Sequence, residues 1–381
     1  MTCWSDLAYD MLGHITSFLP LTDHHRFSAV CKNWRLVAKQ KRHSPAHQLP
    51  WLVLGDEPGT GKRKFYNLSE DRHYAIDIPE LYGRYICGSS HGWLVAIDIK
   101  ITGILINPFT REFYELPLFP QYNIGMWEAT PPSYENFPIV DYREGPGGRG
   151  SGTFEELQVK IVHKAILSHD PKERADFTLM ILTGWKGVPA FWKPGDSSWT
   201  VISVRSPMFI SDVIYFKGQF VFATMESEVL RLNFQPDHPK MYEIESLRIS
   251  QTCLIAQCYL VDYSGRLLLV ERWFFEHYFK VLRVNFEKPK VSKRNHIRKA
   301  ALFLGTNDSL VIDRSKLVRG CKCKTNNIYF TDSTRSFGHE VLGCDDMGVF
   351  NMSDKTVGTF YSPEIRYTRL DTPIWFTPNP W

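Results

Sequence analysis

The chain has 381 residues, of which 43% are hydrophobic and 23% are charged, and this composition supports a globular protein with a sizeable core. The net charge of +4 is too small to indicate nucleic-acid binding, so we expect no nucleic-acid partner. We expect no membrane association either, because no run of about 18 apolar residues occurs and the opening MTCWSDLAYDML does not resemble a signal peptide. Eight scattered cysteines show no disulfide framework, which favours an intracellular protein of the nucleus, the cytoplasm or both.

The first 44 residues predict a small helical unit. Ser5 or Asp6 can cap a first helix that Pro20 ends, and Thr22 and Asp23 can cap a second helical segment. Apolar residues recur at helical spacing along both segments, at Leu7, Met11, Leu12, Ile15, Phe18, Leu19, Phe27, Val30 and Trp34.

These apolar residues are too many for the helical unit to bury by itself. Three short helices in about 40 residues have too little interior to cover them all. We therefore expect them to rest on a partner, and periodicity leaves open whether that partner is the rest of this chain or another protein.

From residue 50 onward, the hydrophobic period becomes that of strands. Aromatic residues make up 14% of the chain and favour a β-rich fold. Short β-branched or aromatic runs bounded by Gly, Asp or Asn occur at 51–55, 92–98, 177–185, 218–225, 265–274 and 326–333. The recurring unit is predicted to be a glycine, an inner strand, a hairpin and an outer strand.

The spacing of these units predicts a β-propeller. Gly218 and Gly265 are separated by about the 40–50 residues of one four-stranded blade, and the stretch from Gly92 to Gly218 has room for more than two units. A mainly β fold with about six or seven blades follows, and a two-sheet sandwich is the alternative.

The stretch GSSHGW at 88–93 matches the Gly-x-Ser-x-Gly pattern of serine hydrolases. A catalytic serine there needs a strand before it and a helix after it, but WLVAIDI, which follows, has the alternation of a strand. Ser90 is therefore interpreted as a turn hydroxyl, and we expect no catalytic residue in the chain.

Three other stretches contain patterns that can indicate a function. Residues 121–158 are dense in Pro and Gly and predict a mobile insertion. Cys321-x-Cys323 has no second ligand pair at a zinc spacing, so free thiols and no bound metal or cofactor are expected. The basic run KPKVSKRNHIRK at 288–299 has three interpretations: a nuclear localisation signal, a patch for an acidic partner or, most simply, a solvated loop.

The order of residues in the N-terminal unit resembles an F-box. The matching run is Leu7, Asp10, Leu12, Ile15, Leu19, Asp23, Arg26, Val30, Cys31, Lys32, Trp34 and Arg35, and it ends in VCKNWR. The sequence departs from the pattern at Ala8, where the family usually has proline, and this removes a helix-start signal.

The resemblance extends over nearly the whole chain. After the F-box come PWLVL, GSSHGWLV, LINPFTREFYELP, ALFLGTNDS, NNIYFTDS, DMGVFNMSDKTV and PIWFTPNPW. Together they resemble plant F-box proteins with a KIB-type (kink-suppressor) β-propeller domain. The resemblance implies an F-box at 1–45 and a substrate-recruiting propeller at 50–381.

What the family implies is a non-catalytic substrate receptor of an SCF-type E3 ubiquitin ligase. Its F-box binds a Skp-type adaptor, and through it a cullin, while the β domain binds the protein to be ubiquitinated. That substrate is unknown, and because kin of this chain bind protein kinases, a kinase is one candidate. The residues carried over as adaptor-binding candidates are Leu7, Leu12, Ile15, Leu19, Arg26, Val30, Cys31 and Trp34. The sequence leaves open whether some of them, Trp34 in particular, instead form the internal core of the helices or the joint to the propeller.

Two other functions remain open. The first is a protein-interaction scaffold that is not part of a ligase and whose F-box has degenerated, which only Ala8 favours. The second is a metal-dependent hydrolase with carboxylates in the propeller channel, although the candidate acids show no recognisable spacing. They are Asp98, Asp262, Asp332, Asp345 and Asp346.

Overall fold

The described part of the chain is not continuous. A computed structural model of the protein describes residues 4, 7–19, 21–40, 49–57, 59–98, 100–120, 140–144, 148–152, 162–184, 187–202, 209–233, 243–248, 257–273, 278–286, 290–297, 299–317, 323–331, 347–361 and 373–379.

Three short helices form the N-terminal unit: α1 (Tyr9–Thr16), α2 (Leu21–Ser28) and α3 (Lys32–Ala38). The N-cap of α1 is Ala8, which makes no side-chain capping bond, while the predicted caps Ser5 and Asp6 lie outside the described residues. Asp23 was wrongly predicted to be a cap, because it lies inside the first turn of α2. The predicted second segment is two helices, since Cys31 has an extended backbone and starts α3.

The rest of the described chain forms six sheets of four or five strands, as predicted for a propeller of about six or seven blades. Blade 1 contains β1 (Trp51–Asp56), β2 (Arg63–Asn67), β3 (Arg72–Ile76) and β27 (Ile374–Phe376), and blade 2 contains β4 (Tyr85–Ser90), β5 (Trp93–Ile97), β6 (Gly103–Ile106) and β7 (Phe113–Leu116). A separate hairpin, β8 (Val140–Glu144) with β9 (Gly148–Gly152), follows. Blade 3 contains β10 (Val162–Leu167), β11 (Leu179–Thr183), β12 (Val188–Trp192) and β13 (Thr200–Val201).

The remaining three blades complete the ring. Blade 4 contains β14 (Ile210–Phe216), β15 (Gln219–Thr224), β16 (Glu228–Asn233) and β17 (Glu243–Arg248), and blade 5 contains β18 (Gln257–Asp262), β19 (Leu267–Trp273), β20 (Tyr278–Asn285) and β21 (Lys290–Arg294). Blade 6 contains β22 (Ala300–Leu304), β23 (Leu310–Asp313), β24 (Asn327–Phe330), β25 (Gly348–Asn351) and β26 (Val357–Gly358). Short 3₁₀ turns lie at Pro79–Leu81 and Arg314–Lys316.

The core of the propeller lies between its blades. Each of six hydrophobic clusters combines residues from two successive blades. One of them joins blade 6 to blade 1 through Phe303, Tyr329 and Trp375. Six such interfaces for six blades mean that the sheets close into a ring, in which each blade packs against a neighbour on both of its faces.

The ring is closed by strands from distant parts of the sequence. The innermost strand of blade 1 is β27, which pairs antiparallel with β1 so that Trp51 lies opposite Phe376 and Val53 opposite Ile374. Blade 6 departs from the simple meander of its neighbours, since β22 and β24 run parallel and β23 lies on the inner side of β22.

The recurring glycines do not begin inner strands, which corrects the predicted unit. Gly92 and Gly218 lie in two-residue turns after the innermost strands β4 and β14. Each follows a residue that also has positive φ, His91 or Lys217, as a type I′ hairpin turn requires. The strand after each glycine is therefore the second strand of its blade.

The long interval from Gly92 to Gly218 spans two blade steps, not more than two. Blades 2 and 4 contain the two glycines, and only blade 3 lies between them. The extra length belongs to the segment between β7 and β10, which includes the predicted insertion at 121–158. Apart from β8 and β9, that insertion lies outside the described residues. In the described ranges, no helix is long and apolar enough to cross a membrane.

Candidate functional site

The exposed apolar surface of the protein is concentrated on the helical unit. Eleven large hydrophobic side chains are exposed among the described residues, and seven of them lie between positions 4 and 36. They are Trp4, Tyr9, Met11, Ile15, Phe18, Val30 and Leu36. A concentration of apolar surface on so small a unit is typical of a protein-binding site.

One stripe of α1 supplies the centre of this surface. Met11, Ile15 and Phe18 follow one another at intervals of four and three residues, so they share one side of the helix and the turn after it. Their exposed fractions are 59%, 37% and 73%. We call these three residues the apolar stripe. The ring of Phe18 packs edge-on against His14, with 4.9 Å between ring centroids, which supports its outward position.

The opposite side of α1 faces a small internal core. Leu12 is buried together with Phe27, Val37 and Ala38, and the indole of Trp34 stacks on Phe27 with centroids 4.2 Å apart. Leu7 and Leu19 pack at the margin of this core. Four fully buried apolar side chains are too few to shelter the remaining apolar surface of the three helices.

The helical unit is also joined to the propeller. Leu21, at the start of α2, is buried in the cluster between blades 1 and 2, beside Trp51, Val53 and Phe65. This contact covers one end of α2 and leaves the apolar stripe uncovered.

The eight predicted adaptor-binding residues fall into three groups. Leu12 is buried in the internal core, and Leu7, Leu19 and Trp34 pack half-buried against it. Ile15 and Val30 are exposed, and so is Arg26, whose guanidinium pairs with Asp23 at 2.8 Å. Cys31 is half-buried at the start of α3.

The edge of the surface is basic. Lys32, Arg35 and Lys39 are exposed along α3, and the Arg35 Nε donates a hydrogen bond to the Ser28 carbonyl at 3.2 Å. An apolar centre with a cationic margin would suit a partner that offers an apolar groove flanked by acidic side chains.

The predicted residue set omitted part of this surface. Met11, Phe18 and Leu36 are among its most exposed apolar side chains but were not selected as binding candidates. The four-and-three spacing of Met11, Ile15 and Phe18 was the signal that could have found two of them.

The Gly-x-Ser-x-Gly match in the propeller has a structural explanation. Gly88 lies where β4 meets Ala165 of blade 3, and a Cβ there would overlap the Ala165 backbone. Gly92 is the turn glycine with φ of +83°. The Ser90 hydroxyl donates to the Asp308 carboxylate at 3.1 Å instead of to an imidazole, which is the base that a nucleophilic serine needs.

Charged groups near the channel stabilise contacts between blades. The Lys164 ammonium of blade 3 pairs with the Asp212 carboxylate of blade 4, and both side chains are almost fully buried. Asp212 also accepts a hydrogen bond from the Leu260 amide of blade 5 at 2.6 Å. Burial raises the pKa of Asp212, an effect that the Lys164 charge partly offsets. These groups link three successive blades.

The described thiols and acids form no recognisable reactive centre. Burial raises the pKa of the Cys258 thiol to about 12, so it is protonated at neutral pH and is not a nucleophile. No three His, Cys, Asp or Glu side chains within the described ranges lie together as a metal site would need. Cys323 is buried, whereas Cys321 and Asp332 lie outside the described residues.

Comparison with known families accounts for both parts of the molecule. The F-box domain matches residues 4–43, and the KIB1-4 β-propeller matches residues 65–351. The chain belongs to the F-box proteins with a KIB1-4 β-propeller. The family assignment explains why a helical unit with an uncovered apolar stripe precedes a closed ring of six blades.

Relatives of this family occur in Arabidopsis thaliana. The protein At4g22660 is 24% identical to this chain over 99% of its length and 97% of the relative's length. The F-box/kelch-repeat protein At1g57790 is 25% identical over 64% of this chain and 72% of its own. A solved β-propeller domain, Cps50 (Swd1) of Myceliophteria thermophila, aligns with 81% of this chain and 94% of its own at 11% identity and a TM-score of 0.36.

Membership of the family has general functional consequences. F-box domains as a class bind Skp-type adaptors, and F-box proteins are typically non-catalytic. An F-box followed by a KIB1-4 propeller indicates a role like that of an SCF substrate receptor.

Proposed function

We propose that this protein is the substrate-receptor subunit of an SCF-type E3 ubiquitin ligase. In this proposal residues 1–45 hold a Skp-type adaptor, and through it a cullin, while residues 50–381 hold the protein to be ubiquitinated. The protein acts inside the cell, in the nucleus, the cytoplasm or both. The observation that carries the proposal is the apolar stripe of α1, which stays exposed although the propeller lies beside it.

The mechanism is positional. The receptor performs no bond chemistry, because the ligase assembled on the cullin supplies the activated ubiquitin. Binding both the adaptor and the substrate raises the effective concentration of a substrate lysine near that ubiquitin. The rigid ring of six blades holds the substrate, and the buried Leu21 joint fixes the helical unit to the ring.

The eight candidate residues contribute to adaptor binding in two ways. Ile15 and Val30 are placed to enter the adaptor directly, together with Met11 and Phe18. Leu12 and Trp34 support that surface from beneath, because they pack in the internal core. Buried aliphatic and aromatic anchors of this kind supply most of the affinity at protein interfaces.

The sharpest test reverses the apolar character of the stripe without touching the core. In the variant Ile15→Asp with Phe18→Asp, each carboxylate would have to be desolvated at the interface, so copurification of a coexpressed Skp adaptor should be lost. Leu12→Asp is a poor test because a charge in the internal core would unfold the helices.

A matched control uses exposed apolar residues of the propeller. Phe113→Asp with Leu118→Asp makes the same chemical change on blade 2 and on the segment after it, and it should leave adaptor binding intact. Retention of the adaptor by the Ile15/Phe18 variant, with unchanged thermal unfolding, would contradict the proposal.

One observation favours a second function, a scaffold whose F-box no longer recruits an adaptor. Ala8 caps α1 without a side-chain hydrogen bond, so the first turn lacks the stabilisation that a capping residue gives. Coexpression of the unmodified chain decides between the two functions. The scaffold is supported only if the folded protein fails to retain any Skp adaptor.

A further inference from the structure

A basic groove lies on blade 5 and on the segment that leads from it to blade 6. It has a volume of about 400 Å³. Five cationic residues line it: Arg266 in the β18–β19 turn, Arg283 on β20, Lys293 and Arg294 on β21, and Lys299 just before β22. We call it the basic groove.

These cations lack acidic partners within the described part of the chain. None of the five forms an ion pair with a described carboxylate, whereas cations elsewhere on the propeller commonly do. The described pairs elsewhere on the propeller include Arg63–Asp56, Arg84–Asp98, Arg111–Glu80, Lys164–Asp212, Lys172–Glu112, Arg174–Asp176 and Lys280–Glu271. Positive charge is therefore concentrated at this groove, where no described carboxylate forms an ion pair with it.

Protection of a sheet edge does not explain the arrangement. β21 is the outermost strand of blade 5, and lysines on such strands commonly prevent pairing with other chains. That reason applies to Lys293 and Arg294. It does not apply to Arg266, Arg283 and Lys299, which come from three other segments and line the same groove.

The floor of the groove is apolar. Leu268 and Ile297 are buried beneath the cations, and the half-buried Tyr263 also lines the groove. A cationic rim over an apolar floor suits a polypeptide that offers carboxylates and apolar side chains together. A nucleic acid would favour a longer basic stripe with several aromatic rings for base stacking.

We propose that the basic groove binds an acidic segment of the protein that the propeller recruits. This inference rests on the proposed function for the identity of the partner, and it selects the acidic-partner interpretation of the basic run at 288–299. The arginines donate hydrogen bonds to carboxylates, and β21 offers an unpaired strand edge along which an extended segment can lie.

The test measures binding of an acidic peptide to the full-length protein by fluorescence anisotropy. The probe is fluorescein-labelled hexaglutamate flanked by glycines, and a labelled hexauridylate RNA and a hexalysine peptide are compared with it. We expect saturable binding of the glutamate peptide that weakens as NaCl rises from about 0.05 M to about 0.2 M. The assay needs no adaptor, so its failure and a failure of adaptor binding are distinguishable.

Charge reversal locates the site. Arg283→Glu with Arg294→Glu should weaken binding of the glutamate peptide at least about tenfold. The control Lys100→Glu with Lys324→Glu makes the same change in net charge at exposed lysines of blades 2 and 6 and should bind like the unmodified protein. Arg266→Gln with Lys299→Gln serves as the second variant if the first fails to fold. It should weaken binding of the glutamate peptide by about threefold or more.

Three results would overturn the proposal. The first is an absence of saturable binding to the glutamate peptide. The second is equal affinity in the groove variants and the lysine control. The third is tighter binding of the RNA than of the glutamate peptide, combined with loss of binding of both probes in the groove variants. That result would assign the groove to nucleic acid.

Discussion

The helical unit and the propeller bury their apolar residues in opposite ways. The propeller places its hydrophobic clusters between six consecutive blades and closes on itself. The helical unit has four buried core residues and exposes seven large apolar side chains. The difference indicates that the ring is stable without a partner, whereas the helices gain from being covered by one.

The largest effect should come from the strand that closes the ring. Trp375 on β27 is fully buried and contacts Phe303 and Phe360 at centroid distances of 4.9 and 5.2 Å. Trp375→Ala should lower the free energy of unfolding by about 3–5 kcal/mol, because it leaves a large cavity at the seam between blades 6 and 1. Urea unfolding followed by far-UV circular dichroism measures this. Trp4→Ala removes an exposed indole and should change the unfolding free energy by less than about 0.5 kcal/mol.

A smaller and local effect is expected in the helical unit. Phe27 is one of its four core residues, so Phe27→Ala should cost about 3 kcal/mol within that unit and unfold it, while the thermal transition of the propeller stays in place. The hydrogen-exchange rates of the backbone amides in residues 9–38 would then rise to those of an unfolded chain. If Phe27→Ala unfolds both regions together, the helices and the ring form one cooperative unit. That outcome would contradict the contrast between a self-sufficient ring and a helical unit of lower stability.

The smallest effect concerns the turn glycines. Gly92 and Gly218 both have positive φ, but a Cβ at Gly92 would overlap Asn379, whereas a Cβ at Gly218 meets nothing within 4 Å. Gly218→Ala should therefore cost only the backbone strain, about 1 kcal/mol, and Gly92→Ala about 2 kcal/mol. Equal shifts in the melting temperature would show that the segment around Asn379 adds no stability to blade 2.

The architecture followed from the sequence because strand runs and turn glycines are local signals. The runs at 51–55, 218–225 and 265–274 all form strands. The innermost strands were harder to recognise, since β10 and β14 contain Lys164 and Asp212. A charged residue normally argues against a buried strand, and the two neutralise each other across blades in a way that only the folded ring reveals.

The sequence predicted that the helical unit carries an exposed apolar surface, but not which residues form it. Leu12 and Met11 are adjacent in sequence, yet one lies in the core and the other is exposed. One residue rotates the side chain by about 100° around a helix, so a short apolar run does not say which of its members face outward. Family resemblance selected Leu12 by its place in the motif, and only the packing of Phe27 and Val37 shows that it is internal.

The pairing of β27 with β1 has a consequence for the order of events during synthesis. The three helices leave the ribosome early, but blade 1 lacks its innermost strand until residue 376 has been translated. Because domains fold as they emerge, the proposed receptor function would let an adaptor associate with a nascent chain whose ring is still open. Under the same proposal, a transcript with a premature stop before codon 374 would yield a polypeptide that occupies adaptors but lacks the closed ring that holds substrate. That polypeptide would inhibit the ligase in addition to losing its own function.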